Sequence, residues 1–157
     1  MRIQLIFIGK TGFSDIESAI RRYVERIGHY CPVEEHYIKA EKITSTVGED
    51  TVREREGERI LKKFPDRRGH MMVCDRGGRE YDSPGFAWFL EKLMESGVPE
   101  LRIVIGGPVG VSAGVLKNAD SVLSFSKMTF PHDLARLMLV EQLYRAFTIM
   151  KREPYHK

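Results

Sequence analysis

Three short segments of the sequence carry residue types that suit the binding of a nucleotide-like ligand. They are CDRGG at 74–78, IGGPVG at 105–110 and FSKMTFPH at 125–132. The last of them offers apolar walls at Phe125, Met128 and Phe130, together with hydroxyl groups and many backbone donors and acceptors. Such a slot suits an adenine ring, which needs flat apolar surfaces and hydrogen bonds along its edge. The alternative is a structured loop whose phenylalanine and methionine side chains belong to the core.

The glycine pair Gly106–Gly107 matches neither of the common phosphate-binding motifs. Pro108 stands where a dinucleotide-binding fingerprint needs its second glycine, and no Gly-Lys-Ser/Thr sequence follows as in a P-loop. Pro108 also lacks the N–H group that a phosphate cradle would use. The two glycines instead allow the backbone to approach a ligand closely. An ordinary tight turn between a strand and a helix is the alternative.

The C-terminal tail combines an aromatic and an imidazole side chain with several cations. Tyr155 and His156 stand among Lys151, Arg152 and Lys157. An aromatic ring can stack on a nucleobase, and an imidazole can transfer a proton near neutral pH. A solvated tail is the alternative, because chain termini are commonly frayed.

The cysteine and histidine residues do not indicate a metal or redox site. Cys31 and Cys74 have no metal-binding or redox spacing, and two cysteines are too few for a disulfide framework. His29, Cys31 and His36 lie close together in the sequence but match no common zinc pattern. We therefore expect reduced thiols and no metal, as in a cytoplasmic protein.

Composition and charge predict one globular domain over residues 1–157. The chain is 42% hydrophobic and 30% charged, with a net charge of +3. This balance is compatible with a nucleic-acid partner but does not indicate one. The mixed-charge segment 39–68 is expected to be a solvated helix face. No apolar run is long enough to span a membrane, and the N-terminal MRIQLIFIGK predicts a strand instead of a signal peptide.

Strand-like and helix-like segments alternate along the chain, which predicts an α/β fold with a largely parallel sheet flanked by helices. The predicted strands are 2–9, 33–38, 70–75, 101–107 and 121–126, with 101–107 at the centre. The predicted helices are 14–28, 50–64, 83–97, 112–119 and 132–150. Since ligands bind beyond the carboxyl ends of parallel strands, we expect the three segments to converge on one site.

Three local patterns add detail to these elements. Ser14 and Glu17 have the spacing of a capping box at the start of the first helix. The sequence RGGR at 76–79 predicts a turn behind the third strand. Trp88 and Met94 are candidates for the buried side of their helix.

The predicted last helix, 132–150, is apolar around nearly all of its circumference. Such a helix is buried on more than one side. One side can face the sheet, and a homodimer packed through this helix would cover the other. The alternative is a helix tucked under another helix of its own chain.

Three passages closely resemble the RlmH family, the YbeA-type SPOUT methyltransferases. They are IGGPVG at 105–110, LSFSKMTFPHDLARLMLVEQLYRAFTI at 123–149 and EPYHK at 153–157. The resemblance implies a trefoil-knotted α/β fold, a homodimer, and S-adenosylmethionine as the methyl donor, with S-adenosylhomocysteine as product. It also implies the target, which is N3 of a pseudouridine in helix 69 of 23S ribosomal RNA in assembled ribosomes.

The resemblance assigns the cofactor site to the three strand-end segments. The residues carried over are Cys74, Gly106, Phe125, Ser126, Lys127, Met128, Thr129 and Phe130. Family members more often carry leucine where this chain has Cys74, a change that a mainly backbone contact tolerates.

The catalytic residues are expected in the tail and at the start of the last helix. The acceptor N3 carries a proton that must leave, and a neutral imidazole within hydrogen-bond reach would accept it. His156 is the first candidate for this base and His132 the second, although His132 is alternatively a helix cap. Tyr155 would stack on or orient the nucleobase, across the dimer interface. The cationic residues of the tail would bind phosphates.

Two other functions are compatible with the same fold. One is a ribosome-binding protein that has lost catalysis, which the intact glycines and tail argue against. The other is a SPOUT enzyme that modifies transfer RNA, although such enzymes commonly carry extra RNA-binding segments for which this chain has no room.

Overall fold

Strands and helices alternate, five of each, over residues 1–66 and 68–155, which are the residues that this computed structural model describes. The strands are β1 (Arg2–Ile8), β2 (Val33–Ile38), β3 (His70–Glu80), β4 (Glu100–Ile105) and β5 (Ser121–Ser124). The helices are α1 (Ser14–Ile27), α2 (Glu49–Lys63), α3 (Ser83–Glu95), α4 (Ala113–Asn118) and α5 (His132–Met150). The predicted alternation is confirmed element by element.

The strands form one parallel sheet in the order β2-β1-β4-β3-β5. Strand β4 lies between β1 and β3, and its residues 101–105 are buried, which confirms the predicted central position. Because every strand runs in the same direction, all carboxyl ends meet at one edge of the sheet. The fold class is therefore α/β with helices on both faces, and the trefoil knot stays a prediction.

Alternate side chains of the strands build two cores, one on each face of the sheet. Ile3, Leu5 and Phe7 of β1 pack with α1, α3 and α5 on one face. Ile6 and Ile8 pack with α2 and α4 on the other. This alternation follows from the period of two in a strand, with apolar residues on both sides because both faces are covered.

Helix α5 packs between α1 and α3 of its own chain. Leu139, Val140 and Leu143 are fully buried there, whereas Leu134 remains 37% exposed. Much of the apolar circumference is therefore covered within the chain, as the alternative interpretation holds. The homodimer stays a prediction. Among the described residues, no helix is long and apolar enough to cross a membrane.

The predicted capping box at Ser14 and Glu17 is wrong. The residue that caps α1 is Phe13, whose carbonyl oxygen accepts the Glu17 N–H at 2.9 Å. Ser14 is already inside the helix, where its hydroxyl lies 3.4 Å from Asp15 Oδ1. The pattern is thus displaced by one residue from the place where it could act.

The predicted turn at 76–79 is also wrong, because β3 continues through this sequence. The register shifts between Cys74 and Arg79, after which Arg79 pairs with Leu123 and the strand runs to Glu80. A Cβ on Gly78 would lie 2.6 Å from the backbone of Val122, so only glycine fits this close approach.

Trp88 and Met94 do not lie on the buried side of α3. Trp88 is 58% exposed, and the side that faces the core carries Phe86, Ala87 and Leu90. Asp82 caps this helix by accepting the Gly85 N–H at 2.7 Å.

Candidate active site

A cleft of about 1010 Å³ opens at the carboxyl ends of β3, β4 and β5. It brings together every predicted cofactor residue apart from Lys127, and it includes His132. The predicted residues that line it are Cys74, Gly106, Phe125, Ser126, Met128, Thr129, Phe130 and His132. The expected convergence of the three segments is therefore observed, in a cleft of the size that small-molecule sites require.

The wall formed by residues 125–131 is a structured loop with polar backbone contacts. Ser126 Oγ accepts the Met128 N–H at 3.1 Å, and Ser124 Oγ donates to the Ser126 carbonyl at 3.0 Å. Phe125 packs partly against the core. Met128 is 71% exposed and is not a core residue, so its apolar surface is available at the mouth of the cleft.

Residues 106–110, called the glycine loop below, fold back tightly at the end of β4. The Gly110 N–H donates to the Gly107 carbonyl at 3.0 Å, and Gly110 has a φ of +80°. A Cβ on Gly106 would lie 2.7 Å from the Gly110 carbonyl oxygen, which excludes larger residues. Arg53 of α2 fixes the loop, because its Nε donates to the Val109 carbonyl at 2.8 Å.

Cys74 contributes a neutral surface to the cleft. Burial, and to a lesser degree the charge of Asp75, raises the pKa of its thiol, so the thiol stays protonated at neutral pH. A reactive thiolate would need the opposite environment. Within residues 1–66 and 68–155, no cluster of His, Cys, Asp and Glu has an arrangement that could hold a metal ion.

Lys127 differs from the other predicted cofactor residues because it does not line the cleft. Its Nζ lies 3.5 Å from Glu80 Oε1 at the end of β3, and the side chain is largely exposed. An exposed ion pair of this kind contributes little to stability.

His132 is the first residue of α5 and lines the cleft next to a buried carboxylate. Its Nε2 lies 3.3 Å from Asp133 Oδ1. Burial lowers the pKa of His132, with Asp133 acting in the opposite direction, and this favours a neutral imidazole at pH 7. Pro131 occupies the N-cap position without a side-chain bond, so His132 is not the cap.

A buried ion pair fixes the start of α5 to the loop after β1. Asp133 Oδ2 accepts the Gly12 N–H at 2.8 Å, while Arg136 donates to the Ile8 carbonyl and, at 3.2 Å, to Thr11 Oγ1. Arg136 Nη1 lies 3.3 Å from Asp133 Oδ1. These bonds hold the helix end that carries His132.

Tyr155 packs against Tyr144 in the second half of α5, away from the helix start that lines the cleft. Its hydroxyl reaches back to Glu141, which follows His132 by nine residues and therefore by about 14 Å along the helix axis. The Tyr155 hydroxyl lies 3.1 Å from Glu141 Oε1 and 3.2 Å from the Tyr23 hydroxyl. Tail and cleft of one chain are therefore separated. His156, with Lys157, lies outside the described residues.

Four charged residues that were not named individually as site residues also line the cleft: Glu49, Arg53, Asp75 and Arg76. Asp75 and Arg76 belong to the segment CDRGG, which the sequence predicted to be at the site. Glu49 and Arg53 belong to α2, where nothing in the local sequence distinguishes them from other charged residues.

Comparison with known proteins gives concordant matches over the whole chain. A family model described as "Predicted SPOUT methyltransferase" matches residues 1–156. A protein of Syntrophobacter fumaroxidans named Ribosomal RNA large subunit methyltransferase H is 51% identical, with 100% of both chains covered. A protein of the same name from Christiangramia forsetii is 42% identical, with 99% of both covered.

Solved structures show the same fold at much lower identity. A probable methylase family protein from Haemophilus influenzae Rd KW20 superposes with a TM-score of 0.58 at 13% identity. The match covers 99% of this chain and 70% of that chain. At this identity the similarity concerns the fold alone.

Proposed function

Because the chain belongs to the SPOUT methyltransferase family, we propose that it methylates N3 of a pseudouridine in helix 69 of 23S ribosomal RNA, on assembled ribosomes in the cytoplasm. It is an S-adenosylmethionine-dependent methyltransferase, and its curated relatives are named for large-subunit ribosomal RNA. The observation that carries the proposal is the cleft, which gathers the predicted cofactor residues at the carboxyl edge of the sheet.

The residues of the cleft suit S-adenosylmethionine. Phe125, Met128 and Phe130 offer apolar surface for the adenine, and Gly106 has no Cβ that would collide with the Gly110 carbonyl and disturb the loop that lines the cleft. Arg76 supplies a positive charge for the carboxylate of the methionine moiety. The bound cofactor supplies a methyl group activated by its sulfonium, so the contribution of the protein is to align donor and acceptor.

The proton on the acceptor N3 requires a base near the cleft. His132 lines the cleft, and its lowered pKa keeps the ring neutral and able to accept a proton. Asp133, beside its Nε2, would stabilise the imidazolium that forms. His156, the first candidate from the sequence, would arrive with the tail, and Tyr155 would orient the nucleobase.

The position of the tail supports a homodimer in which each tail serves the cleft of the partner subunit. Within one chain, Tyr155 packs on Tyr144 and bonds Glu141, so it lies against the second half of α5 and not among the residues that line the cleft. Phe13 and Leu134 are exposed apolar residues at the end of α5 where the cleft opens, on segments joined by the bond from Gly12 to Asp133. Such residues suit a subunit contact.

Titration calorimetry with S-adenosylhomocysteine tests the assignment of the cleft. The wild-type protein is expected to bind, and Gly106→Val is expected not to bind, because its side chain would meet the Gly110 carbonyl. Gly48→Ala is the matched control, since a Cβ at Gly48 meets nothing within 4 Å. Absence of binding in the wild type, or equal binding in Gly106→Val, would contradict the proposal.

A further inference from the structure

Helix α2 forms the support beneath the glycine loop. Arg53 bonds the Val109 carbonyl from this helix. One turn further along α2, a Cβ on Gly57 would lie 2.1 Å from Ser112 Oγ. The helix therefore packs directly against Ser112, which follows the glycine loop in the chain. Glu56 lies between these two contacts, although it is not part of the cleft lining.

The carboxyl group of Glu56 is buried, and only one of its two oxygens accepts a hydrogen bond. The residue is 3% exposed, and its Oε1 accepts the Glu41 N–H at 2.9 Å. Its Oε2 is buried without a hydrogen-bond partner. This oxygen lies 3.3 Å from the position that a Cβ on Gly107 would occupy, so it faces the glycine loop. A buried acceptor without a partner is unfavourable and calls for a functional explanation.

The surroundings of Glu56 decide whether this oxygen is an acceptor or a donor. Burial raises the pKa of Glu56, and the nearby Glu41 carboxylate acts in the same direction. The hydrogen bond from the Glu41 backbone and the charge of Arg59 act in the opposite direction and lower the pKa of Glu56. Arg59 and Arg55 also form ion pairs with the Glu41 side chain, which reduces the repulsion between the Glu41 and Glu56 carboxylates. An ionised carboxylate accepts hydrogen bonds and donates none.

On the basis of the proposed function, we propose that Glu56 is a positioning residue for the cofactor. When the cofactor fills the cleft, Oε2 accepts a hydrogen bond from a backbone N–H of the glycine loop and fixes that loop against the ligand. Because Oε1 holds the Glu41 N–H, the same side chain ties the segment after β2 to the loop. The two segments then move as one unit on α2.

The variant Glu56→Gln tests this role because it keeps the size of the side chain and the acceptor for Glu41. It replaces Oε2 by an amide NH₂, which cannot accept a bond from the loop. Affinity for S-adenosylhomocysteine, measured by calorimetry, is expected to fall about tenfold, the usual scale for a lost bond to a charged group. The thermal midpoint of the cofactor-free protein is expected to change little, because Oε2 has no partner there and the NH₂ group that replaces it has none either.

Two further variants separate positioning from plain stability. Glu54→Gln, exposed on the same helix, should leave both the affinity and the midpoint unchanged. Gly107→Ala places a methyl group against Oε2 and Ile8, so the double variant with Glu56→Gln should bind no more weakly than the weaker single variant. Wild-type affinity in Glu56→Gln, or additive losses in the double variant, would overturn the assignment. Lack of binding by the wild type would instead contradict the proposed function.

Discussion

His132 is the titratable side chain whose position bears most directly on the chemistry. It lines the cleft at the start of α5, and burial keeps its imidazole neutral. His156 has a comparable claim from its type and motif alone. The two assignments lead to different predictions. As the base, His132 would act in the cleft of its own chain, whereas His156 would act in the cleft of the partner subunit.

The variant His132→Ala is expected to slow single-turnover methyl transfer to ribosomes by about 100-fold, the lower end of general-base effects. Its affinity for S-adenosylhomocysteine should change by less than about threefold, because the imidazole acts on the acceptor and not on the donor. The exposed His29 provides the control His29→Ala, which should have the wild-type rate. A wild-type rate in His132→Ala, together with a large loss in His156→Ala, would assign the base to the tail.

Helix α2 shows how an element far from the cleft in sequence shapes it. Gly57 lets the helix contact Ser112, which caps α4 by accepting the Val115 N–H. This contact places Arg53 and Glu56 under the glycine loop. The packing of α2 on α4 therefore determines the form of the cleft.

The variant Gly57→Ala should lower the free energy of unfolding by about 2 kcal/mol, the usual cost of forcing a methyl group into a packed contact. The added Cβ would lie 2.1 Å from Ser112 Oγ and 2.9 Å from its Cβ, so α2 must move. Gly48→Ala, at the N-cap of the same helix, meets no atom within 4 Å and should cost less, about 0.5–1 kcal/mol, because alanine is a poorer N-cap than glycine. Urea unfolding measures both variants, and equal stability of the two would contradict the packing described here.

The sequence predicted every strand and helix, because each has a clear apolar period or is bounded by turn residues. It failed where the outcome depends on tertiary contacts. The glycines at 77 and 78 indicate a turn in isolation, but the backbone of β5 pairs with this segment and keeps it in β3. Glu56 and Arg53 were not predicted as part of the site, since only the folded chain brings α2 beneath the glycine loop. The cleft itself was predictable because parallel strands end at one edge.

The stability of the whole molecule is expected to depend on pH through its half-buried histidines. Burial lowers the pKa of His36, His70 and His132 in the folded state. The unfolded chain, with histidine pKa values of about 6.5, then binds more protons than the folded one as the pH falls below that value. The free energy of unfolding should thus be fully retained above about pH 6.5 and decrease as the pH falls below that value.

Urea unfolding across this pH range measures the effect, and His70→Gln should reduce the slope. His70 is a suitable position because it bonds Ser121 and lies far along β3 from the cleft. A free energy of unfolding that stays constant, or that increases, as the pH falls would contradict the burial of these rings.

The proposed exchange of tails between subunits predicts complementation. One variant carries His132→Ala with an intact tail, and the other ends at residue 153 with an intact cleft. Mixed dimers should regain activity, because one of their two sites combines an intact cleft with an intact tail from the partner. If each tail serves its own chain, the mixture should be no more active than the separate variants. Sedimentation of the wild type as a monomer would remove the basis of the experiment and contradict the dimer.

The most direct test of the whole account is to locate the methyl group on the RNA. Ribosomes that lack the modification are incubated with the wild-type protein and labelled S-adenosylmethionine, and the 23S RNA is mapped by mass spectrometry. The account predicts about one methyl group per large subunit, at N3 of a pseudouridine in helix 69, and none with Gly106→Val. Methylation of transfer RNA or of another position, or binding of the cofactor without transfer, would contradict it.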